Sequence, residues 1–505
     1  MKKLFLFIAV ISVSILNAQD ITDAVRYSQQ EIMGTARYRA MSGAFGALGG
    51  DLSAIQINPA GSAVFLRSSA SITISSSGLT NDVSYQNGFN SETSNNLNFN
   101  QLGAIFIYND YSDSESSGIN KISFGLAYDQ TADYKNDFFA FGRANNSISS
   151  FFLEEAQGLP LDLIARRDGE TIESLYAFLG ENEGFSAQQA FLGYEGFIFD
   201  AVDPDDPNNT AYTSNVAPGF FDQEYLYEST GLNGKFTLNA GAQINKDFYF
   251  GINLNSHFIN YDRFTEFYES NNNAGSNINE ITFGNRLSTT GAGFSAQIGG
   301  ITKVSDILRL GASFESPTWY YITEETTQAL RTVSDTDGTA IIAPNVVNVF
   351  PEYRLRTPSI ATGSAAILFG KKGLISIDYS YKDYTSTSFS SDEGVNFSAQ
   401  NRDIDQNLTS TSTIRIGGEL RNENWSFRGG YVMEESPYKN ELILGDKTGW
   451  SFGIGYNFGQ TKFDVAYSYS EQESIQPFFQ GSGFTNFALL DNQTENITFT
   501  LSMNL

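Results

Sequence analysis

The chain has 505 residues, a formal net charge of −27, one histidine and no cysteine, with 42 Phe, 26 Tyr, 46 Gly and only 11 Pro. The missing cysteines exclude a disulfide scaffold, thiolate metal centres and a lipidated cysteine. The acidic balance excludes nucleic-acid binding, which needs clustered Lys and Arg, and opposes anionic lipid head groups unless divalent cations intervene. Length alone would suggest about three domains, but aromatic and glycine enrichment without a membrane-spanning helix is the composition of a lipid-embedded β-barrel.

The chain opens with Lys2 and Lys3, an apolar stretch from Leu4 to Leu16 and a cleavage-type sequence Asn17-Ala18-Gln19. The apolar stretch is too short to span a bilayer, so residues 1–18 read as a signal peptide and the chain as exported. Residues 19–67 follow, with five glycines between Gly43 and Gly61 and the turn signal Asn58-Pro59. Gly46, Gly49, Gly50, Asp51, Asn58, Pro59 and Ala60 give a backbone that turns sharply but carries too little apolar bulk for a core of its own. Such a segment must sit inside something else, and a plug within a barrel is expected.

Gly34-Thr35-Ala36-Arg37-Tyr38-Arg39-Ala40-Met41, the glycine run and Asn58-Pro59-Ala60 together resemble the N-terminal hatch of the FadL/OmpP1 outer-membrane transporters, in wording closest to a Bacteroidetes-type branch. The resemblance covers residues 34 to 67. It implies a hatch-plugged barrel in the outer membrane of a Gram-negative bacterium, passing hydrophobic compounds, with long-chain fatty acids foremost.

From Ser68 to the C-terminus, apolar and polar residues alternate in segments of about ten, the length of a tilted spanning strand. Phe248, Phe250, Ile252 and Leu254 share one face, opposite Tyr249, Asn253, Asn255 and His257. Ile497, Phe499, Leu501 and Met503 repeat this opposite Thr498, Thr500 and Ser502. About fourteen such strands fit residues 68–505, the even number of a single-chain barrel. Short turns are expected at Lys246, Ser305-Asp306, Lys371-Lys372, Asn422-Glu423 and Gly459-Gln460. Long loops are expected near 80–97, 146–232, 271–283, 331–349, 387–407, 436–444 and 474–491, and a connection near 110–118 is long for the short-turn side. Leu505 stands where an aromatic C-terminal residue is common in such barrels.

Alternation in the third strand fails at Asp129-Gln130-Thr131-Ala132-Asp133. The segment reads either as the end of the strand or as a bulge that parts the wall; the family resemblance implies a lateral opening there. The 146–232 insertion is unusually apolar, with helices expected over 147–167 and 171–194. Phe151, Phe152, Leu175, Phe178, Phe191 and Phe197 form either a self-packed cap or a groove that gathers apolar substrate.

No enzymatic constellation emerges, and neither a metal site nor a cofactor is expected. His257 lies on the lumen face without a Gly-x-Ser-x-Gly motif, and Asp203-Pro204-Asp205-Asp206-Pro207 lacks EF-hand spacing. Arg309, Arg415 and Arg428 fall on lumen-facing positions, where they either pair with neighbouring carboxylates or hold a substrate carboxylate. The leading expectation is a monomeric passive transporter whose partners are membrane lipid and a small hydrophobic substrate. The alternatives are an outer-membrane interaction or shuttle protein of a secretion system, which binds through the long loop, and a general porin, which a plug disfavours.

Overall fold

The computed structural model describes residues 20–109, 118–336, 338–479 and 483–505; the leader and nearly all of the 110–118 connection lie outside them. Fourteen antiparallel strands form a closed barrel. They are β1 (Ser69–Tyr85), β2 (Gly88–Asn109), β3 in two pieces (Ile119–Asp133 and Asn136–Ala144), β4 (Phe221–Ile244), β5 (Phe248–Ser270), β6 (Ile278–Lys303) and β7 (Leu308–Glu315 and Trp319–Ser334). Next come β8 (Tyr353–Arg356 and Ile360–Leu368), β9 (Gly373–Asp383), β10 (Ser410–Asn422), β11 (Trp425–Glu434), β12 (Lys447–Asn457), β13 (Thr461–Pro477) and β14 (Phe487–Asn504). The ring closes where β1 pairs with β14, from Ser69↔Asn504 to Ser84↔Leu489. Proline has no N–H for a ladder, and β7 and β8 are interrupted side by side at Pro317 and Pro358; there Thr318 donates its N–H to Thr357 Oγ1 at 2.9 Å.

The alternating pattern sorts the side chains into two environments. Phe248, Phe250, Ile252 and Leu254 are exposed on the outer face, whereas Tyr249, Asn253, Asn255 and His257 are buried inside. Ile497, Phe499, Leu501 and Met503 are likewise exposed, and Thr498 and Thr500 buried. These outward residues form the apolar band that a bilayer would cover.

Strands and loops differ from expectation at the long-loop end. The span 80–97 is a continuation of β1 and β2 joined at Gln86-Asn87, with Gln86 in the left-handed region at φ 51°. β4 begins at Phe221, so the insertion occupies 145–220. The reason is physical: above the lipid band both faces of a strand meet water or the cap, and the apolar alternation that marks a strand in the bilayer disappears while the ladder continues.

The insertion folds into four helices, α3 (Ser149–Ala156), α4 (Leu161–Ile164), α5 (Ile172–Asn182) and α6 (Phe185–Glu195), with a two-stranded ribbon of Phe199–Ala201 and Tyr212–Ser214. Thr171 and Ser174 form a reciprocal cap that starts α5. The helices bury one continuous apolar core against the upper strands, with Phe152, Phe191, Phe267, Phe283 and Phe484 among its members. A last helix, α7 (Ser398–Asn407), lies in the 387–407 connection.

Candidate functional site

Residues 20–67 fill the lumen. Their first helix, here αP1 (Ile21–Ser28), is capped by Asp20 and buries Ala24, Val25 and Tyr27 among Tyr134, Tyr261, Tyr320, Tyr353 and Phe389 of the upper barrel. A short helix, αP2 (Ala36–Arg39), follows, capped by Thr35, whose hydroxyl accepts from the Tyr38 N–H. The chain then descends through two 3-10 turns, Ser53–Gln56 and Pro59–Val64, to β1.

The expected hatch residues hold this path in place. Gly49 and Gly50 take left-handed φ values of 60° and 66°, and the Gly50 N–H donates to Gly61 O at 3.1 Å. Asp51 accepts from Thr35 Oγ1 at 2.7 Å and from the Ser53 N–H at 3.0 Å. Asn58 Nδ2 donates to Gly46 O at 2.8 Å and to Gly300 O at 3.0 Å, while its Oδ1 accepts from the Ala60 N–H. The Gly46 N–H donates to Asp378 at 2.9 Å, and the Pro59 carbonyl accepts from Asn239 at 3.0 Å.

The wall is made to fit. Lumen-facing Gly241, Gly251, Gly299, Gly311, Gly417, Gly430 and Gly453 stand on seven strands, and a Cβ at any of them would lie 2.1–2.6 Å from a plug atom. This belt is invisible in the sequence, where a glycine in a strand has no stated neighbour. The only cue is the recurrence of glycine on the lumen face, strand after strand.

Each of the three expected lumen arginines has at least one partner. Arg309 Nη1 donates to Leu48 O at 3.2 Å, Arg415 Nη1 to Ser380 Oγ at 3.1 Å, and Arg428 bridges Glu419 at 2.7 Å and Asp464 at 2.6 Å. Arg37 of the plug joins the same cluster through Glu419 at 2.8 Å. Arg428 is thus engaged by two carboxylates of the wall, the ion-pairing arm of the two readings. His257 is buried against Ser295 Oγ at 2.9 Å and edge-on to Tyr320.

The third strand is open on one side. Its ladder with β2 runs from Asn109↔Lys121 only as far as Gln101↔Asp129, although β2 continues upward to Gly88 paired with β1. The register with β4 slips between Gln130 and Ala132, and the strand stops at Asp133 before resuming at Asn136. Above the break the upper piece of β3 leans against the β1–β2 hairpin, where Asn81 Nδ2 donates to Asn136 Oδ1 at 2.7 Å and Asn90 Nδ2 to Phe139 O at 3.2 Å. In place of a backbone ladder the parted edges are joined by side chains. Asp133 accepts from Asn98 at 2.7 Å, from Asn96 at 3.0 Å and from Ser77 at 3.3 Å, and Gln130 donates to Asn98 at 3.1 Å. Asp129, buried opposite Lys235, has both carboxylate oxygens without a hydrogen-bond partner.

A chamber lies directly behind this break. Two neighbouring cavities of about 240 and 70 Å³ share Gln30, Glu31, Glu434, Lys447 and Thr494. The larger is bounded by Leu79, Ala132, Asp133, Tyr134, Tyr227 and Tyr261, the smaller by Ile32, Arg39 and Val432. Arg39 is buried, and its Nε and Nη1 have no hydrogen-bond partner among the described residues. Burial lowers its pKa to about 10, offset in part by Glu31 and Asp133, so it is a cation at neutral pH. Arg39 was not among the expected site residues: within the hatch sequence it looks like any other arginine.

Of the two readings of the insertion, the burial of its side chains matches the self-packed cap. Phe151, Phe152, Leu175 and Phe191 are interior to the cap, and only Phe178 and Phe197 are exposed. Their apolar surface is spent on the cap's own core, which packs against the upper ends of β1, β3 to β7 and β14.

No protein-family model matches the sequence, and no curated protein does. Solved structures share the fold. A FadL homologue of Pseudomonas aeruginosa aligns over 94% of this chain and 98% of its own, with a TM-score of 0.53 at 13% identity. The toluene transporter TodX of Pseudomonas putida aligns over 95% and 99%, with a TM-score of 0.52 at 12% identity.

Proposed function

From the FadL-type fold of this chain, we propose that it is an outer-membrane channel for small hydrophobic compounds, and that its substrates are amphiphiles with an acidic head, long-chain fatty acids foremost. The observation that carries the reading is the chamber behind the β3 break. A pure hydrocarbon would leave the Arg39 N–H groups unpaired at a cost of about 1–3 kcal/mol, whereas a carboxylate satisfies them with charge-assisted bonds. Leu79, Tyr134, Tyr227 and Tyr261 offer apolar surface for the chain behind the head.

Transport then needs no chemical energy. Substrate that reaches the chamber leaves toward lipid between β2 and β3, once the Asn96, Asn98 and Asp133 contacts part, and burial of its apolar chain in the bilayer supplies about 0.8 kcal/mol per CH₂. The same break accounts for the plug, which closes the aqueous route while leaving the side route free.

The test is binding and release by the purified full chain in lipid nanodiscs, comparing a long-chain fatty acid with the alcohol of equal length. Arg39→Gln is expected to weaken the acid about 10- to 100-fold and to leave the alcohol unchanged. Equal loss of both removes the head-group role of Arg39. Failure of the unsubstituted protein to bind either removes the transport reading.

A further inference from the structure

On the short-turn side of the plug the barrel keeps a vestibule of about 670 Å³. Its roof is apolar, formed by Leu48 and Val64 of the plug with Leu368 and Leu374 of the wall. Its sides are cationic: Arg37, Arg67, Arg309, Arg421, Arg428 and Lys462 face Glu419, Glu423 and Asp464. Six cations against three carboxylates is a local excess of positive charge in a chain whose net charge is −27.

The carboxylates do not neutralise the whole set. Glu419 is shared by Arg37, Arg421 and Arg428, and Asp464 is taken by Arg428. The side chains of Arg67 and Lys462 form no hydrogen bond or ion pair with the described residues, and the buried Nε of Arg309 has no partner among them. Next to Arg67, Leu66 is 85% exposed at the rim. The vestibule thus combines an apolar roof, free cationic groups and a volume within the usual range for small-ligand sites.

We propose that this vestibule is a second binding site, for an amphiphilic carboxylate taken up from the periplasmic side, and that its occupancy locks the plug. The carboxylate lies between Arg67 and Lys462, and its apolar tail against Leu48, Val64, Leu368 and Leu374. The lock follows from the same side chains. Leu48, whose carbonyl Arg309 of the wall holds at 3.2 Å, and Val64 belong to the plug, so a tail packed on them is bound only while the plug is docked. A ligand that requires the docked plug stabilises it in proportion to its occupancy. The site lies on the opposite side of the plug from the Arg39 chamber and does not depend on passage through it.

The test uses the full chain carrying Arg39→Gln, in nanodiscs, titrated with decanoate, decanol and inorganic phosphate and compared with empty discs. The site predicts saturable decanoate binding that persists in this background, exceeds that of decanol and phosphate, and weakens at least about tenfold with Arg67→Gln plus Lys462→Gln. Those two side chains bond nothing in the described structure, so the fold is expected to survive; unchanged circular dichroism and heat-modifiable gel mobility check it. Arg309→Gln, which lets go of Leu48 O, supplies a second variant, expected to weaken the protection of the plug. Decanoate should also slow proteolysis of the plug, and the double variant should abolish that protection. Equal binding of decanol, or of phosphate, overturns an amphiphilic carboxylate site; undiminished decanoate binding in the variants overturns the assignment to the vestibule; binding without protection overturns the lock.

Discussion

The backbone N–H of Glu31, in the plug, donates to the carbonyl of Thr131, in the broken part of β3, at 2.8 Å. The plug thus supplies a backbone bond at the level where β2 has already left β3. Residues 29–33 and the parted edge of β3 are joined by this bond, and either shifts relative to the other only by breaking it.

The side-chain seal is the first place to intervene. The natural chain has no cysteine, so Asn98→Cys with Asp133→Cys creates the only thiol pair. Joined by a short thiol crosslinker, the parted edges cannot separate, and release of a bound fluorescent fatty acid into surrounding lipid is expected to fall to the level of lipid without protein. Cleaving the link should restore it. Asp133→Ala alone removes the bonds from Ser77, Asn96 and Asn98 across the seam, together with that from the Lys135 N–H, and is expected to speed release.

Docking of the plug rests on Asn58. Asn58→Ala strands the Ala60 N–H and the carbonyls of Gly46 and Gly300, at a cost of roughly 1–3 kcal/mol. The barrel should fold with unchanged circular dichroism, while protease cleaves residues 40–60 faster. Gly299→Val should do the same by steric means, since its Cβ would lie 2.1 Å from Asn58 Oδ1.

Much of this architecture was legible in the sequence, and the exceptions share a cause. Alternation at Phe248–Leu254 and Ile497–Met503 reports the lipid band because one face must be apolar there. The lapse at Asp129–Asp133 coincides with the end of the β2–β3 ladder, since buried polar residues on successive positions cannot serve a lipid-facing wall. Strand extension above the band was not legible, because Thr80 to Asn96 meets no lipid and carries no apolar face. Nor was the placement of Arg39 and the lumen glycines, whose surroundings come from chain hundreds of residues away. For the insertion, composition reported apolar residues correctly but not whether they face a groove or one another.

The ion-pair cluster ties the plug to the wall at the other end. Glu419 is buried between Arg37 and Arg428, and removing one partner of such a group costs about 3–5 kcal/mol because the charges left behind stay buried. Glu419→Gln is expected to lower the temperature at which the protein loses its heat-modifiable gel mobility, and by more than Arg421→Gln, whose side chain is half-exposed.

Docking of αP1 should depend on pH. Burial, with Asp20 beside it, raises Asp23 to about 6, against the lowering effect of Arg26 and Arg263. The docked helix therefore holds this proton more tightly than the released one. Docking is fully supported below about pH 4, the range of an ordinary aspartate, and weakens as pH rises through about 6. Hydrogen-exchange protection of residues 21–28, corrected for intrinsic rates, should be greater at about pH 5 than at about pH 8. Asp23→Asn should remove the difference.

The glycine belt also dictates an order of assembly. With wall and plug separated by less than the room a methyl group needs, the plug cannot be slid into a finished cylinder; the cylinder must be formed around it. The β1–β14 seam closes that cylinder, and β1 is continuous with the plug. A barrel of residues 69–505 closed beforehand should refuse the plug supplied as a separate peptide. In this molecule the stopper is the mould.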